Sequence, residues 1–130
     1  MIVRDVDSLR GTEREVRNPE WSSTRLLLAK DNMGFSLHET TLYAGSKISM
    51  CYKNHLEAVY CVDGIGEIKD LATGEIHKIL PGKMYALDKN DSHILQAKTQ
   101  MRFVCVFNPP CVGNEVHDEN GAYPLLQENR

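Results

Sequence analysis

The stretch YKNHLEAVYCVDGIGEI, from Tyr52 to Ile68, decides the fold. After Glu57 it runs through apolar positions that alternate with the period of two typical of a half-buried β-strand. Gly64 and Gly66 then mark a tight turn. The stretch predicts a strand that ends in a glycine-rich turn. It leaves open whether Glu57 binds a metal or is a strand-edge residue that pairs with a lysine such as Lys53.

The same pattern of short apolar runs and turn signals continues through most of the chain. Nine runs rich in β-branched, leucine and aromatic residues predict consecutive strands, and so many strands in a short chain favour a small all-β barrel or jelly roll of one domain, residues 1–130. DVDSLRGTERE, residues 5–15, fits either a turn or two of helix interrupted by Gly11 or a loop, and little other helix is expected. The predicted strands are TRLLLA (24–29), FSLHETTLY (35–43), KISMCY (47–52), EAVYCV (57–62), GEIKDL (66–71), EIHKIL (75–80), KMYALD (83–88), HILQA (93–97) and RFVCVF (102–107).

Composition excludes some classes of function. The 130 residues suit one domain, and a formal charge of -3 with 25% charged residues gives no basic surface for nucleic acid. No signal peptide or apolar run long enough to span a bilayer is present, so we expect a cytoplasmic protein. The four cysteines form no CxxC pair and are expected to stay reduced there, mostly as small apolar residues.

A second motif resembles the cupin family. PGKMYALDKNDSHILQA, residues 81–97, keeps the spacing of the second cupin motif through Gly82 and His93, and Glu57 precedes Gly64 by the seven residues of the first motif. The two metal-binding histidines expected before the glutamate are missing, since Tyr52 lies near one of their positions and His55 is off the pattern. The resemblance implies a cupin barrel and says less about the metal.

Five segments carry a closer resemblance that covers nearly the whole chain: MIVRDV, NHLEAVY, DLATGEIHKILPGKMYALD, CVFNPP and EVHDENGAYP. They resemble the ectoine synthases. That family closes N-γ-acetyl-L-2,4-diaminobutyrate to ectoine, a cyclic amidine and compatible solute, with loss of water. The resemblance therefore implies a cytoplasmic lyase of osmoadaptation that forms a homodimer and requires Fe(II), with zinc possible in its place.

The resemblance assigns the metal to Glu57, Tyr85 and His93. Strand parity agrees, because Glu57 shares a face with apolar Val59 and Cys61, where a cation would offset the cost of burying a carboxylate. Carboxylate, phenolate and imidazole together suit iron and also zinc. The alternative for Tyr85 is ordinary packing. As a ligand it would be deprotonated, so metal binding should weaken as the pH falls.

The substrate contacts follow from the chemistry of cyclisation. Arg25 and Thr40 are predicted to bind the substrate carboxylate, because a guanidinium can bind two carboxylate oxygens, although Arg25 could also be a surface charge. An aromatic residue in a small β domain is more often core than pocket, but the family resemblance favours Trp21 and Phe107 as apolar pocket walls that exclude water. Cys105 is predicted to line the pocket without acting as a nucleophile.

Proton transfer is assigned to Glu115 and His117 in GNEVHDENG, with Tyr52 and His55 as alternatives. His38 and His77 are interpreted as residues without a functional role. Two rival functions remain open at this point, because cupin barrels host many activities. One is an iron dioxygenase, and the other is a non-catalytic module that binds an amino-acid derivative through Arg25 and Thr40.

Overall fold

The computed structural model describes residues 1–113, whose inward-facing side chains form one hydrophobic core between two antiparallel β-sheets. Helix within this range is limited to α1 (Val6–Leu9) and a 3-10 turn (Ala29–Asp31). The strands are β1 (Glu15–Arg17), β2 (Trp21–Leu27), β3 (Ser36–Leu42), β4 (Lys47–Met50), β5 (Leu56–Asp63), β6 (Gly66–Asp70), β7 (Ile76–Ile79), β8 (Met84–Leu87), β9 (His93–Ala97) and β10 (Met101–Asn108).

The larger sheet has the strand order β1-β2-β3-β10-β5-β8, and the smaller has the order β4-β9-β6-β7. This architecture confirms the predicted all-β fold, and β2 to β10 correspond to the nine predicted runs. The sequence analysis missed β1, in which Val16 is the only apolar residue and pairs with Ser23 of β2. The predicted helical turn is α1, where the Asp5 side chain accepts a hydrogen bond from the Asp7 amide.

The side chains of β5 alternate between the two faces of the larger sheet as predicted. Glu57, Val59 and Cys61 are buried, whereas Leu56 and Tyr60 are exposed. Since β5 lies between β10 and β8, its inward residues face the middle of the barrel. The parity of one strand therefore brings a carboxylate into the core.

The turn after β5 depends on the absence of a side chain at Gly64. Its φ is +89°, and a Cβ there would overlap the carbonyl oxygen of Gln100 and the Cα of Met101. The backbone of the β5–β6 turn can thus lie directly against the segment that leads into β10. The close approach leaves no room for a side chain at Gly64.

A network of charged groups attaches the N-terminal segment to the larger sheet. Asp31 accepts hydrogen bonds of 3.0 and 2.9 Å from the Arg4 guanidinium and one of 2.9 Å from the Leu28 amide. Arg14 approaches the same carboxylate at 3.4 Å. Burial alone would raise the pKa of Asp31, but these partners lower it to about 2. The carboxylate therefore stays charged through the whole physiological range.

Candidate active site

A cavity lies inside the barrel, between the inward faces of the two sheets. Its wall is mostly apolar, with a few polar groups, as is usual for sites that bind small molecules. The predicted site residues that line it are Trp21, Thr40, Tyr52, Glu57, Tyr85, Cys105 and Phe107.

Glu57 is the buried carboxylate of this cavity. It is 8% exposed, and burial raises its pKa to about 8, although a hydrogen bond from the Cys105 thiol acts in the opposite direction. Within residues 1–113 Glu57 forms no ion pair, so the alternative in which it pairs with Lys53 is wrong. At neutral pH the carboxyl group is mostly protonated until a cation or another charge compensates it.

Tyr85 lies on β8, opposite Val59 of β5. Its neighbours Met84 and Ala86 are exposed, so the predicted parity of β8 is confirmed. Burial, and then the negative charge of Glu57, raise the pKa of Tyr85 well above its usual value of 10. The phenol therefore keeps its proton and is neutral unless a bound cation displaces that proton.

His93 begins β9 with its side chain almost fully buried at 1% exposure. Its Nδ1–H donates to the backbone carbonyl of Asp91 at 2.9 Å, and its Nε2 has no hydrogen-bond partner in the part of the chain that is described. A histidine held in this way through Nδ1 presents the lone pair of Nε2, which is how histidine ligands of metals are oriented. The Tyr85 ring centroid lies 6.4 Å from that of His93.

These observations fit a metal whose ligands include a phenolate. Residues 1–113 contain no cluster of three or more histidine, cysteine, aspartate or glutamate side chains able to hold a metal ion. Glu57 of β5 and His93 of β9 supply one carboxyl and one imidazole group from different sheets. Tyr85, near both, supplies an oxygen of the kind that iron accepts.

Comparison with known proteins shows the family to which this chain belongs. A model of the ectoine synthase family matches residues 1–127. The L-ectoine synthase of Sphingopyxis alaskensis is 57% identical over 128 residues, which is 98% of this chain and 93% of that protein. The L-ectoine synthase of Desulfatibacillum aliphaticivorans is 55% identical over 130 residues, 98% of this chain and all of the relative.

The chain belongs to the ectoine synthase family. It is therefore an enzyme, a hydro-lyase among the carbon-oxygen lyases, as predicted. The crystal structure of ectoine synthase from P. lautus superposes with a TM-score of 0.88 at 52% identity, covering 100% of this chain and 94% of that one. A predicted oxalate decarboxylase from Thermotoga maritima has a TM-score of 0.66 at 22% identity, with coverage of 83% and 98%, and shows the fold alone. Family membership leaves no support for the dioxygenase or the non-catalytic module.

Arg25 of this ectoine synthase family member is not a surface charge, so that alternative is wrong. It is 0% exposed, its Nε donates to the Ser23 hydroxyl at 3.0 Å, and one terminal nitrogen donates to the Gly113 carbonyl at 2.9 Å. Arg25 does not line the cavity directly. Thr40 connects the two, because its hydroxyl reaches Ser23 at 3.5 Å and the Cys105 thiol at 3.7 Å.

Tyr52 and His55, the alternative proton-transfer groups, lie next to the cavity on the segment between β4 and β5. Tyr52 is 3% exposed and His55 is 2% exposed, and the Phe107 ring lies 5.3 and 5.8 Å from their respective rings. The Asn90 side chain donates to the carbonyls of Tyr52 at 2.8 Å and of His55 at 3.2 Å. Glu115 and His117 lie outside the described residues.

His38 is buried although charged Glu39 follows it. Its side chain is 1% exposed, and its ring lies 4.9 Å from that of Phe107. The available signal was parity, since His38 alternates with Ser36 and Thr40 on the inward face of β3. His77, by contrast, is exposed and lies 3.5 Å from Glu75. No helix of residues 1–113 is long and apolar enough to cross a membrane.

Proposed function

We propose that this enzyme closes N-γ-acetyl-L-2,4-diaminobutyrate to ectoine with loss of water, inside the barrel cavity. The observation that carries the proposal is the pair of Glu57 and His93, two buried groups from opposite sheets, in a member of the ectoine synthase family. The α-amino nitrogen of the substrate attacks its own acetamide carbonyl, and the carbinolamine that results loses water. The site must orient the chain, activate the amide and move protons.

We also propose that Glu57, Tyr85 and His93 hold Fe(II), or zinc in its place. The unpartnered Nε2 of His93 and the uncompensated carboxyl group of Glu57 support this assignment, because each becomes stable when it faces a cation. A metal bound by these residues would supply Lewis-acid polarisation of the acetamide oxygen. The other residues of the cavity wall would then contact the substrate.

Arg25 and Thr40 are assigned to the substrate carboxylate. Hydrogen bonds lead from Cys105 through Thr40 and Ser23 to Arg25. This path supports placing the substrate carboxylate at this end of the cavity. Holding the carboxylate here fixes the folded conformation of the substrate, and correct orientation of an intramolecular attack can contribute up to about 7–11 kcal/mol.

Trp21 and Phe107 are assigned to exclude water from the reacting groups. Both are buried, at 3% and 1% exposure, and both line the cavity. Cys105 belongs to the same wall. Burial first, and then the charge of Glu57, raise the pKa of its thiol well above 9, so the sulfur stays neutral and is not a nucleophile.

For proton transfer we retain Glu115 and His117, with Tyr52 and His55 as the candidates within the described range. The burial of Tyr52 and His55 around Phe107 supports their nearness to the substrate. A proton must leave the α-ammonium before attack, and one must reach the departing hydroxyl.

We further propose that the enzyme is a cytoplasmic homodimer. The outer face of β5 and β8 supports the dimer, because it exposes Leu56, Tyr60 and Met84 at 44%, 47% and 58%. An apolar face of this kind on a sheet favours burial against another protein surface. The four free cysteines suit a reducing compartment.

The test of the function follows the acetyl methyl signal of the substrate by proton NMR, with anaerobic protein and with or without added ferrous iron. Conversion to the cyclic amidine only with metal, lost in Glu57→Ala and His93→Ala, is expected. Glu67→Ala and His77→Ala are matched controls, because both positions are exposed and both variants should keep full activity. Binding without cyclisation would contradict the proposal, and oxygen uptake on substrate addition would restore the dioxygenase.

A further inference from the structure

A cleft separate from the cavity lies at the seam between the two sheets, lined by residues of β8 on one side and of β6 and β9 on the other. The three groups proposed to hold the metal are divided between these two spaces. Glu57 lines the cavity, His93 lines the cleft, and Tyr85 is the one described residue that lines both. The proposed metal position can therefore be approached from the cleft as well as from the cavity.

His93 connects the cleft to the proposed metal position. The imidazole is 1% exposed, and its Nε2 has no hydrogen-bond partner in the part of the chain that the structure describes. Asp70 of β6 is its register partner in the β6–β9 ladder, so the two side chains are neighbours on the same face of the smaller sheet. Both residues belong to the wall of the cleft, and a carboxylate therefore lies beside the buried ring.

The charges of the cleft favour a cation. Its wall carries the carboxylates of Asp70, Asp88 and Asp91 and one ammonium group, that of Lys89. An excess of negative charge between the walls of a cleft concentrates a negative potential there. In the wall of the cavity Glu57 is the one acidic side chain among the described residues, and it is mostly protonated until a cation compensates it. An approaching cation is therefore attracted to the cleft more strongly than to the cavity.

The aspartates of the cleft do not form a second metal site. Residues 1–113 contain no group of three or more histidine, cysteine, aspartate or glutamate side chains able to hold a metal ion. Asp70 accepts a hydrogen bond from the Ala72 amide at 2.9 Å, and Asp91 accepts one from the Lys89 amide at 3.2 Å. Local turns hold these two carboxylates, so they would act on a passing cation through their charge and not as permanent ligands.

We propose that this cleft is the route by which the metal ion reaches Glu57, Tyr85 and His93, and that the three aspartates of the cleft attract the ion. The aspartates increase the rate of entry, whereas the three ligands determine how tightly the metal is held. Substrate and metal then arrive on opposite sides of Tyr85, and a filled cavity does not block metal binding. The proposal rests on the proposed function, because it uses the metal ligands assigned there.

The rate of metal binding tests the route. Anaerobic stopped-flow mixing of metal-free protein with Fe(II) can be followed through the fluorescence of Trp21, the only tryptophan of the chain, which lines the cavity and should be quenched by the paramagnetic ion. Asp70→Asn with Asp88→Asn removes two charges, and an asparagine at position 70 can still accept from the Ala72 amide. We expect the association rate constant to fall about 10-fold at low salt, with the release rate changed less than about 3-fold. A faster release with an unchanged association rate would show that the aspartates only stabilise bound metal, and would overturn the route.

Asp63→Asn with Glu67→Gln is the matched control. Both positions are exposed and neither lines the cleft, and the substitutions again remove two charges. Asp63 accepts a hydrogen bond from the Gly64 amide at 2.9 Å, much as Asp70 does from the Ala72 amide. This variant should bind Fe(II) at the rate of the original enzyme. An equal loss of rate in both double variants would show an effect of net charge alone and overturn the proposal.

The unmodified protein gives a second test that needs no substitution. With ectoine at a concentration that calorimetry shows to saturate the enzyme, the association rate of Fe(II) should stay within about 2-fold of the rate without ectoine. A rate that falls as the cavity fills overturns the proposal, because the metal then enters through the cavity. Absence of Fe(II) or ectoine binding is a separate result, since it refutes the proposed function itself.

Discussion

The Nδ1–H of His93 donates to the carbonyl oxygen of Asp91 at 2.9 Å, and this contact determines what the ring offers to a ligand. Because Nδ1 carries the proton, Nε2 is left as a lone pair inside the barrel. Burial lowers the pKa of His93, although the Asp91 carbonyl acts in the opposite direction, so the ring is neutral at pH 7. A metal ion would meet this ligand already in its binding form, whereas Glu57 and Tyr85 must each lose a proton.

Metal binding should therefore release protons. Glu57 has a pKa of about 8 without metal, and the pKa of Tyr85 lies well above 10, so about two protons should leave at pH 7 and none from His93. The affinity for Fe(II) should rise as the pH increases from 6 to 9. Anaerobic calorimetry in buffers of different ionisation enthalpy measures the release. The Glu57→Gln variant should release one proton fewer than the original enzyme when it binds metal. Metal binding without any proton release would contradict the assignment of Glu57 and Tyr85 as ligands.

The same carboxyl group should make the metal-free enzyme less stable at high pH. A carboxyl whose folded pKa, about 8, exceeds its ordinary 4.5 imposes no penalty below pH 4.5. The loss of unfolding free energy caused by ionising buried Glu57 grows between pH 4.5 and 8. Above pH 8 it is complete, on the order of 3–5 kcal/mol. Glu57→Gln should remove it. Denaturant unfolding of both metal-free proteins at pH 5 and pH 9, at one protein concentration, checks this. A Glu57→Gln protein that gains no stability at pH 9 would show that Glu57 is compensated by another group.

Asn90 should position the segment that carries Tyr52 and His55. Its φ of +52° is in the left-handed region, which glycine also adopts, so Asn90→Gly keeps the backbone conformation. The Asn90 amide donates to the backbone carbonyls of Tyr52 and His55, and the substitution removes only these two hydrogen bonds. We expect a loss of about 1–3 kcal/mol in unfolding free energy and a fall in kcat. Asn32→Gly is the matched control, because Asn32 also has a positive φ of 59° but lies at an exposed turn. Equal kcat in the two variants would contradict a positioning role.

Gly64 should tolerate no side chain, whereas Gly74 should tolerate one. Both have positive φ, +89° and +78°, but a Cβ meets the backbone of Gln100 and Met101 only at Gly64. Gly74→Ala should lower the unfolding free energy by about 1–2 kcal/mol, the cost of the left-handed conformation alone. Gly64→Ala should lower it by about 3–5 kcal/mol, because the turn must also move away from the strand β10. Thermal and denaturant unfolding compare the two, and similar losses would show that the turn adapts freely.

The sequence predicted most of the fold because inward and outward residues alternate with a fixed period in strands. Glu57, Val59 and Cys61 could be placed on one face from their spacing alone. The same rule applied to His38, but the charged residue after it suggested an exposed strand. Parity shows which side chains share one face of a strand, but it does not show whether that face is buried. The burial of His38 follows from the position of β3 between β2 and β10, which the sequence does not contain.

Contacts between distant segments could not be predicted from the sequence. Asn90 is 38 residues from Tyr52, and the Ser36 hydroxyl meets the Cys111 amide across 75 residues. The burial of Arg25 was equally hidden, because WSSTRLLL fits both a surface and a core strand. Each of these contacts arises only when two sheets close around a common interior.

The last prediction concerns the outer face of β5 and β8. In the part of the chain that the structure describes, β8 forms one edge of the larger sheet, and Tyr60 of β5 is paired in register with Met84 of β8. If this face is the dimer interface, two lysines placed there would have to be buried without partners, so Tyr60→Lys with Met84→Lys should yield a folded monomer. Analytical ultracentrifugation at a fixed protein concentration compares the double variant with the original protein, which we expect to be a dimer. Ile76→Lys is the matched control, because Ile76 is 57% exposed on β7 of the other sheet and its substitution should leave the dimer intact. A double variant that remains dimeric would place the interface elsewhere on the barrel, and the exposed apolar side chains of β5 and β8 would then need another partner.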